Sequence, residues 1–171
     1  MKTYIIKKAA DRKIKESILL VSEIKETMLK DDIVKKILKE FKLDEDIVEG
    51  FSIIFDEDLD VTAKTINGEV SLNKDLMSKS FDTIMRYVIH EFVHVCQHIK
   101  NQKSKAKKSD KDHGYLENEE EIEAFKWQIL FDSEENGKKS VHKYLEELMD
   151  FHDFPDSKRE DKIEELKGYL E

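Results

Sequence analysis

The chain holds one cysteine, one proline and five glycines in 171 residues. A lone Cys96 excludes an internal disulfide framework. So few chain-breaking residues exclude a loop-rich scaffold, and the charge-rich pattern around them favours helix. No apolar run approaches the roughly 18 residues that a membrane-spanning helix needs. Met1-Lys2-Thr3-Tyr4-Ile5-Ile6-Lys7-Lys8 has neither the apolar core nor the small-residue cleavage site of a secretory signal, so a cytoplasmic protein without membrane association is expected. Positive charge is in deficit. Thirty Lys and Arg face 39 Asp and Glu, for a net charge of -9, which argues against a nucleic-acid partner. Aromatic residues still make up 9% of the chain and the two charge signs are mixed, so a packed core is expected rather than disorder.

The length suits a single domain, residues 1–171, divided into N-terminal helices (1–50), a central core (51–135) and C-terminal helices (136–171). Ile14, Ile18, Leu20, Val21, Ile24, Met28 and Leu29 recur at helical spacing between about residues 9 and 30. Asp31-Asp32 reads as the N-cap of a second helix through Ile33, Val34, Ile37, Leu38 and Phe41. The pattern then turns to strands. Phe51–Phe55 is a β-type run, and Asn67-Gly68 between alternating segments is a strong hairpin signal. A small antiparallel sheet is expected over 51–73. A helix follows from Ser80 or Asp82 to about Ile99, then a polar, locally basic loop over 101–114. Further helices are expected over about 118–132, 140–151 and after Pro155. The fold class is α+β, mostly helical.

One motif carries chemistry: His90-Glu91-Phe92-Val93-His94. On a helix, residues four apart share a face, so both imidazoles can reach one ion, as tetrahedral Zn²⁺ requires. Glu91 is turned off that line but lies beside the open coordination position, where it can act as general base toward water. With 6 His and 22 Glu in the chain, composition alone gives roughly 0.03 such matches. Context must therefore strengthen the reading. Val88, Phe92, Val95 and Ile99 form a separate apolar stripe, so the helix is buried on one side while the histidines face another way.

A catalytic zinc site needs a third protein ligand. The layout of His90–His94, a loop, and then Asn118-Glu119-Glu120-Glu121-Ile122-Glu123-Ala124-Phe125 resembles the gluzincin zinc metallopeptidases, with a fold expected to be zincin-like. In that family the third ligand is a Glu on the helix after the H-E-x-x-H helix. The ImmA/IrrE-type phage and mobile-element peptidases and the Ste24-like enzymes show Glu-x-x-Ala there. The resemblance implies Glu121 as ligand with Ala124 in the small position, where it would let the two helices approach closely. Glu120 and Glu123 remain as alternatives, and an acidic first helical turn also suits the helix dipole without any metal. The family often sets an acid or amide one turn after the ligand Glu to buttress a ligand histidine. Here that position is Phe125, so the partner must come from elsewhere.

The resemblance implies a zinc-dependent peptidase with a protein or peptide substrate bound extended along an edge of the 61–73 hairpin. A non-catalytic zinc-binding regulatory or interaction module on the same scaffold is the alternative, and the terminal helices offer surfaces for self-association. Tyr115 and His98 are weaker candidates for contacting substrate or a developing oxyanion. His113 reads as a loop residue, and Cys96 and Trp127 read as core.

Overall fold

The computed structural model describes residues 2–104, 118–151 and 154–170. Helix α1 (Lys2–Lys30) leads into α2 (Asp32–Phe41), where the Asp31 carboxylate accepts from the Val34 N–H as the expected N-cap. A short α3 (Asp46–Gly50) precedes strand β1 (Ser52–Asp56). Strands β2 (Ala63–Ile66) and β3 (Glu69–Asn73) form the hairpin, and a 3-10 turn (Lys74–Ser78) connects them to α4 (Phe81–Ser104). Helices α5 (Glu119–Asn136), α6 (Lys138–Phe151) and α7 (Asp156–Lys167) follow, and a 3-10 turn (Gly168–Leu170) comes after α7. The structure is α+β and mostly helical, as the pattern predicts. No helix among the described residues is long and apolar enough to cross a membrane.

The sheet corrects the expectation of an antiparallel arrangement. Its order is β1-β3-β2, with β2 antiparallel and β1 parallel to β3. The hairpin itself forms as read: Asn67 and Gly68 both adopt positive φ (53° and 83°), the geometry a tight two-residue turn demands. What the local pattern does not show is which strand takes the centre. Val70 and Leu72 of β3 are fully buried, whereas β2 has no fully buried residue, so β3 is central and β2 an edge. The register aligns Ile53, Val70 and Thr65 across one row, and Phe55, Leu72 and Ala63 across another. This is the face that packs on α4.

Helix α4 runs to Ser104, five residues beyond the expected end at Ile99, so residues 101–104 are helix and not loop. The rest of the expected loop lies outside the described residues. Val88, Phe92 and Val95 are buried and Ile99 is partly buried, so the apolar stripe of α4 forms the centre of the main core with α1, α2 and the sheet. On α1, Leu20 and Val21 are partly buried and Ile24 and Met28 fully so, whereas Ile14, Ile18 and Leu19 are exposed. Helix α5 is buried on two faces. Ala124, Trp127 and Phe131 enter the main core, while Phe125 and Ile129 join Val141, Leu145, Met149, Ile163 and Leu166 in a second cluster.

The α4–α5 pair is the most extensive contact between helices. At its far end Arg86 meets Asp132 in an ion pair, with Nε donating at 2.9 Å, and its guanidinium lies over the Tyr144 ring. Asp132 is fully buried, and removing its cation strands a charge in the core. Arg86→Ala should therefore destabilise the protein by about 3–5 kcal/mol, measured by urea unfolding; a loss under 1 kcal/mol would mean that Asn136, which also donates to Asp132, satisfies the carboxylate alone.

Candidate metal centre

His90 and His94 lie one turn apart on α4, and Glu121 reaches them from the first turn of α5. Asn118 caps that turn by accepting from the Glu120 N–H, and Ala124 is fully buried where the helices meet. The three ligand atoms converge. His90 Nε2 lies 3.2 Å from His94 Nε2 and 3.2 Å from Glu121 Oε2, and His94 Nε2 lies 3.4 Å from the same oxygen. A four-coordinate ion with bonds near 2.0–2.1 Å needs its donors about 3.3 Å apart. His90, His94 and Glu121 thus form a group that could hold a metal ion.

The outer nitrogens fix which face each ring presents. His90 Nδ1 is 2.9 Å from Gln128 Oε1, and His94 Nδ1 is 2.8 Å from Gln97 Oε1. Each amide oxygen can only accept, so each Nδ1 carries the proton and donates it. The two Nε2 lone pairs then point at each other and at a carboxylate oxygen. Three lone pairs at this separation repel unless a cation sits among them. Gln128 and Gln97 occupy the buttressing role that the Phe125 position leaves open; Phe125 instead stacks edge-on against His90, with ring centroids 4.7 Å apart. Gln128 in turn bonds the Tyr144 hydroxyl, whose pKa burial raises.

Without a metal the cation is a proton. Burial by itself would lower the His94 pKa, but the Glu121 carboxylate, through hydrogen bond and charge, and the nearby Glu91 outweigh it and raise it to about 9. For Glu121, burial works upward, yet its bonds to His90 and His94 hold the carboxyl well below the usual range.

Glu91 is buried beside this group. Its Oε2 accepts from Thr65 Oγ1 at 2.7 Å, and the same hydroxyl lies 3.1 Å from the Glu91 backbone oxygen, so one proton serves one acceptor at a time. Thr65 belongs to the edge strand β2, which places the hairpin directly over the motif helix.

Other residues fall elsewhere. Glu120 accepts from Asn101 and Glu123 from Gln97, so neither joins the convergent group. His98 packs beneath the hairpin turn, where a Cβ on Gly68 would meet its ring at 3.3 Å, and bonds Gln102. Tyr115 and His113 lie outside the described residues. Cys96 is core, and burial pushes its thiol up to about 12; Trp127 is also core. Sequence reasoning assigned no role to Thr65, Gln97 or Gln128. Gln97 had a usable signal, its i+3 spacing from His94, whereas Thr65 needs the fold.

No protein-family model, curated protein or solved structure matches the chain.

Metal uptake must displace the His94 proton. Because that pKa is raised to about 9, the apparent affinity for a divalent ion should fall as pH drops below this value, by up to about tenfold per unit. Chelator-competition titrations with zinc across this range measure it, and an affinity flat with pH would exclude His94 as a ligand.

Proposed function

We propose that the protein is a zinc-dependent metallopeptidase of gluzincin type, acting on protein or peptide substrates. The observation that carries this reading is the meeting of three lone-pair donors, His90, His94 and Glu121, beside a buried carboxylate on the intervening turn. Two imidazoles and one carboxylate are a donor set of catalytic zinc sites, which leave the fourth position open. Zinc held there would lower the pKa of a bound water and polarise the scissile carbonyl.

The chain's own residues do the rest. Glu91 takes a proton from the attacking water and passes it to the leaving amine, which requires a carboxylate close to the site and oriented before substrate arrives. The Thr65 hydroxyl supplies that orientation, leaving the second Glu91 oxygen for the proton. The buried flank of α4 limits bulk water around the site. β2 is an edge strand with one side unpaired by the sheet, so an extended peptide can align along it by strand addition, above the histidines. The resemblance to mobile-element peptidases rests on the two motifs and adds the expectation of a protein substrate.

The test is Glu91→Gln in zinc-loaded protein, assayed on casein and on a quenched-fluorescent peptide library. Zinc content should stay at the parent's level while cleavage falls by about 10²–10⁴-fold. A parent chain that binds zinc yet cleaves nothing in the library would overturn the peptidase reading in favour of a non-catalytic zinc-binding module.

A further inference from the structure

Gln97 lies one turn after His94 and is 6% exposed. All of its amide is used. Oε1 accepts from His94 Nδ1 at 2.8 Å. Nε2 donates to the Glu120 carbonyl and to Glu123 Oε2, each at 2.9 Å. Both partners of the nitrogen are acceptors only, so turning the amide over would set oxygen against oxygen twice. The orientation is therefore fixed from the α5 side, and it dictates the His94 tautomer on the α4 side: Nδ1 protonated, Nε2 bare.

The α5 contacts bear on the second helix's ligand. The Glu120 carbonyl belongs to the peptide that leads into Glu121, and Glu123 stands two residues further on. One side chain thus grips a ligand histidine by its outer nitrogen and the backbone beside the ligand carboxylate.

We propose that Gln97 is a positioning residue for the metal centre, setting the ligating nitrogen of His94 and docking the turn that presents Glu121. This rests on reading the convergent group as a metal site. It predicts a specific exchange. Gln97→Met keeps the length of the side chain but loses all three bonds. Gln97→Glu keeps the acceptor for His94 but sets a carboxylate against the Glu120 carbonyl and Glu123. Adding Glu123→Gln returns an N–H donor from the other side, so Gln97→Glu/Glu123→Gln rebuilds the bond between positions 97 and 123 with amide and acid exchanged, while the Glu120 carbonyl stays without its donor.

The readout is zinc affinity of the full chain by chelator competition, with ¹⁵N spectra identifying the His94 nitrogen bound to zinc. Gln97→Met should weaken binding by about 10- to 100-fold, Gln97→Glu should also weaken it, and the double exchange should recover part of the affinity that Gln97→Glu loses. His94 should bind through Nε2. Parent-like affinity in Gln97→Met, no recovery in the double exchange, or ligation through Nδ1 would each overturn the assignment. A parent chain that takes up no zinc overturns the metal centre itself, and this assignment with it.

Discussion

The register of α4 against α5 is the constraint on which the rest of the structure depends. The helices run antiparallel, and polar pairs cross their interface along its length: Asn101 with Glu120, Gln97 with Glu120 and Glu123, His94 and His90 with Glu121, His90 with Gln128, and Arg86 with Asp132. Most of these groups are buried or partly buried, and each would cost about 1–3 kcal/mol if left without a partner. A one-residue slip would break all of the pairs together. The apolar residues on either side could tolerate such a slip far better, because hydrophobic burial is not directional. Burial brings the two helices together, and the polar pairs select one register.

That register has an unusual feature at its middle. At every other crossing a donor meets an acceptor. At His90, His94 and Glu121, with both Nδ1 protons directed outward, acceptor meets acceptor. A fold selected only for stability would place a donor there. The arrangement makes sense when a cation completes it, and the raised His94 pKa describes the same demand met by a proton. The flanking pairs hold the three donors in place around a proton, and would do the same around a metal ion.

Much of this was legible in the sequence. The spacing of His90 and His94 placed two imidazoles on one face, the cap at Asp31 behaves as its residue type requires, and Asn67-Gly68 makes its turn. These are local readings, in which the partner lies within about one turn of the residue. The sheet order was not legible, because pairing β1 with β3 depends on which strand the core covers. The end of α4 was misplaced for a related reason: Asn101-Gln102-Lys103-Ser104 has no apolar period, yet Asn101 still finds a partner in Glu120 across the interface. Glu121 was separable from Glu120 and Glu123 only through the family resemblance and the small residue at Ala124. All three are acidic residues in one helical turn, and the sequence alone does not say how that turn faces its neighbour.

The two elements above and beside α4 differ in what they contribute. Helix α5 supplies Glu121 and both kinds of buttress to the histidines, through Gln128 directly and through its grip on Gln97. The sheet supplies a single hydroxyl, Thr65, aimed at Glu91. Thr65 can reach because it shares a row with Ile53 and Val70, whose burial presses the sheet onto α4. The edge position of β2 therefore has two consequences with one cause. The strand holds the Glu91 carboxylate through Thr65, and its outer side is paired by no other strand of the sheet. Had β2 been central, Thr65 could have faced α4 equally well, but a third strand would have occupied the space beside the site. The sheet order that local patterning failed to reveal is thus what keeps the sheet from adding a further strand on that side.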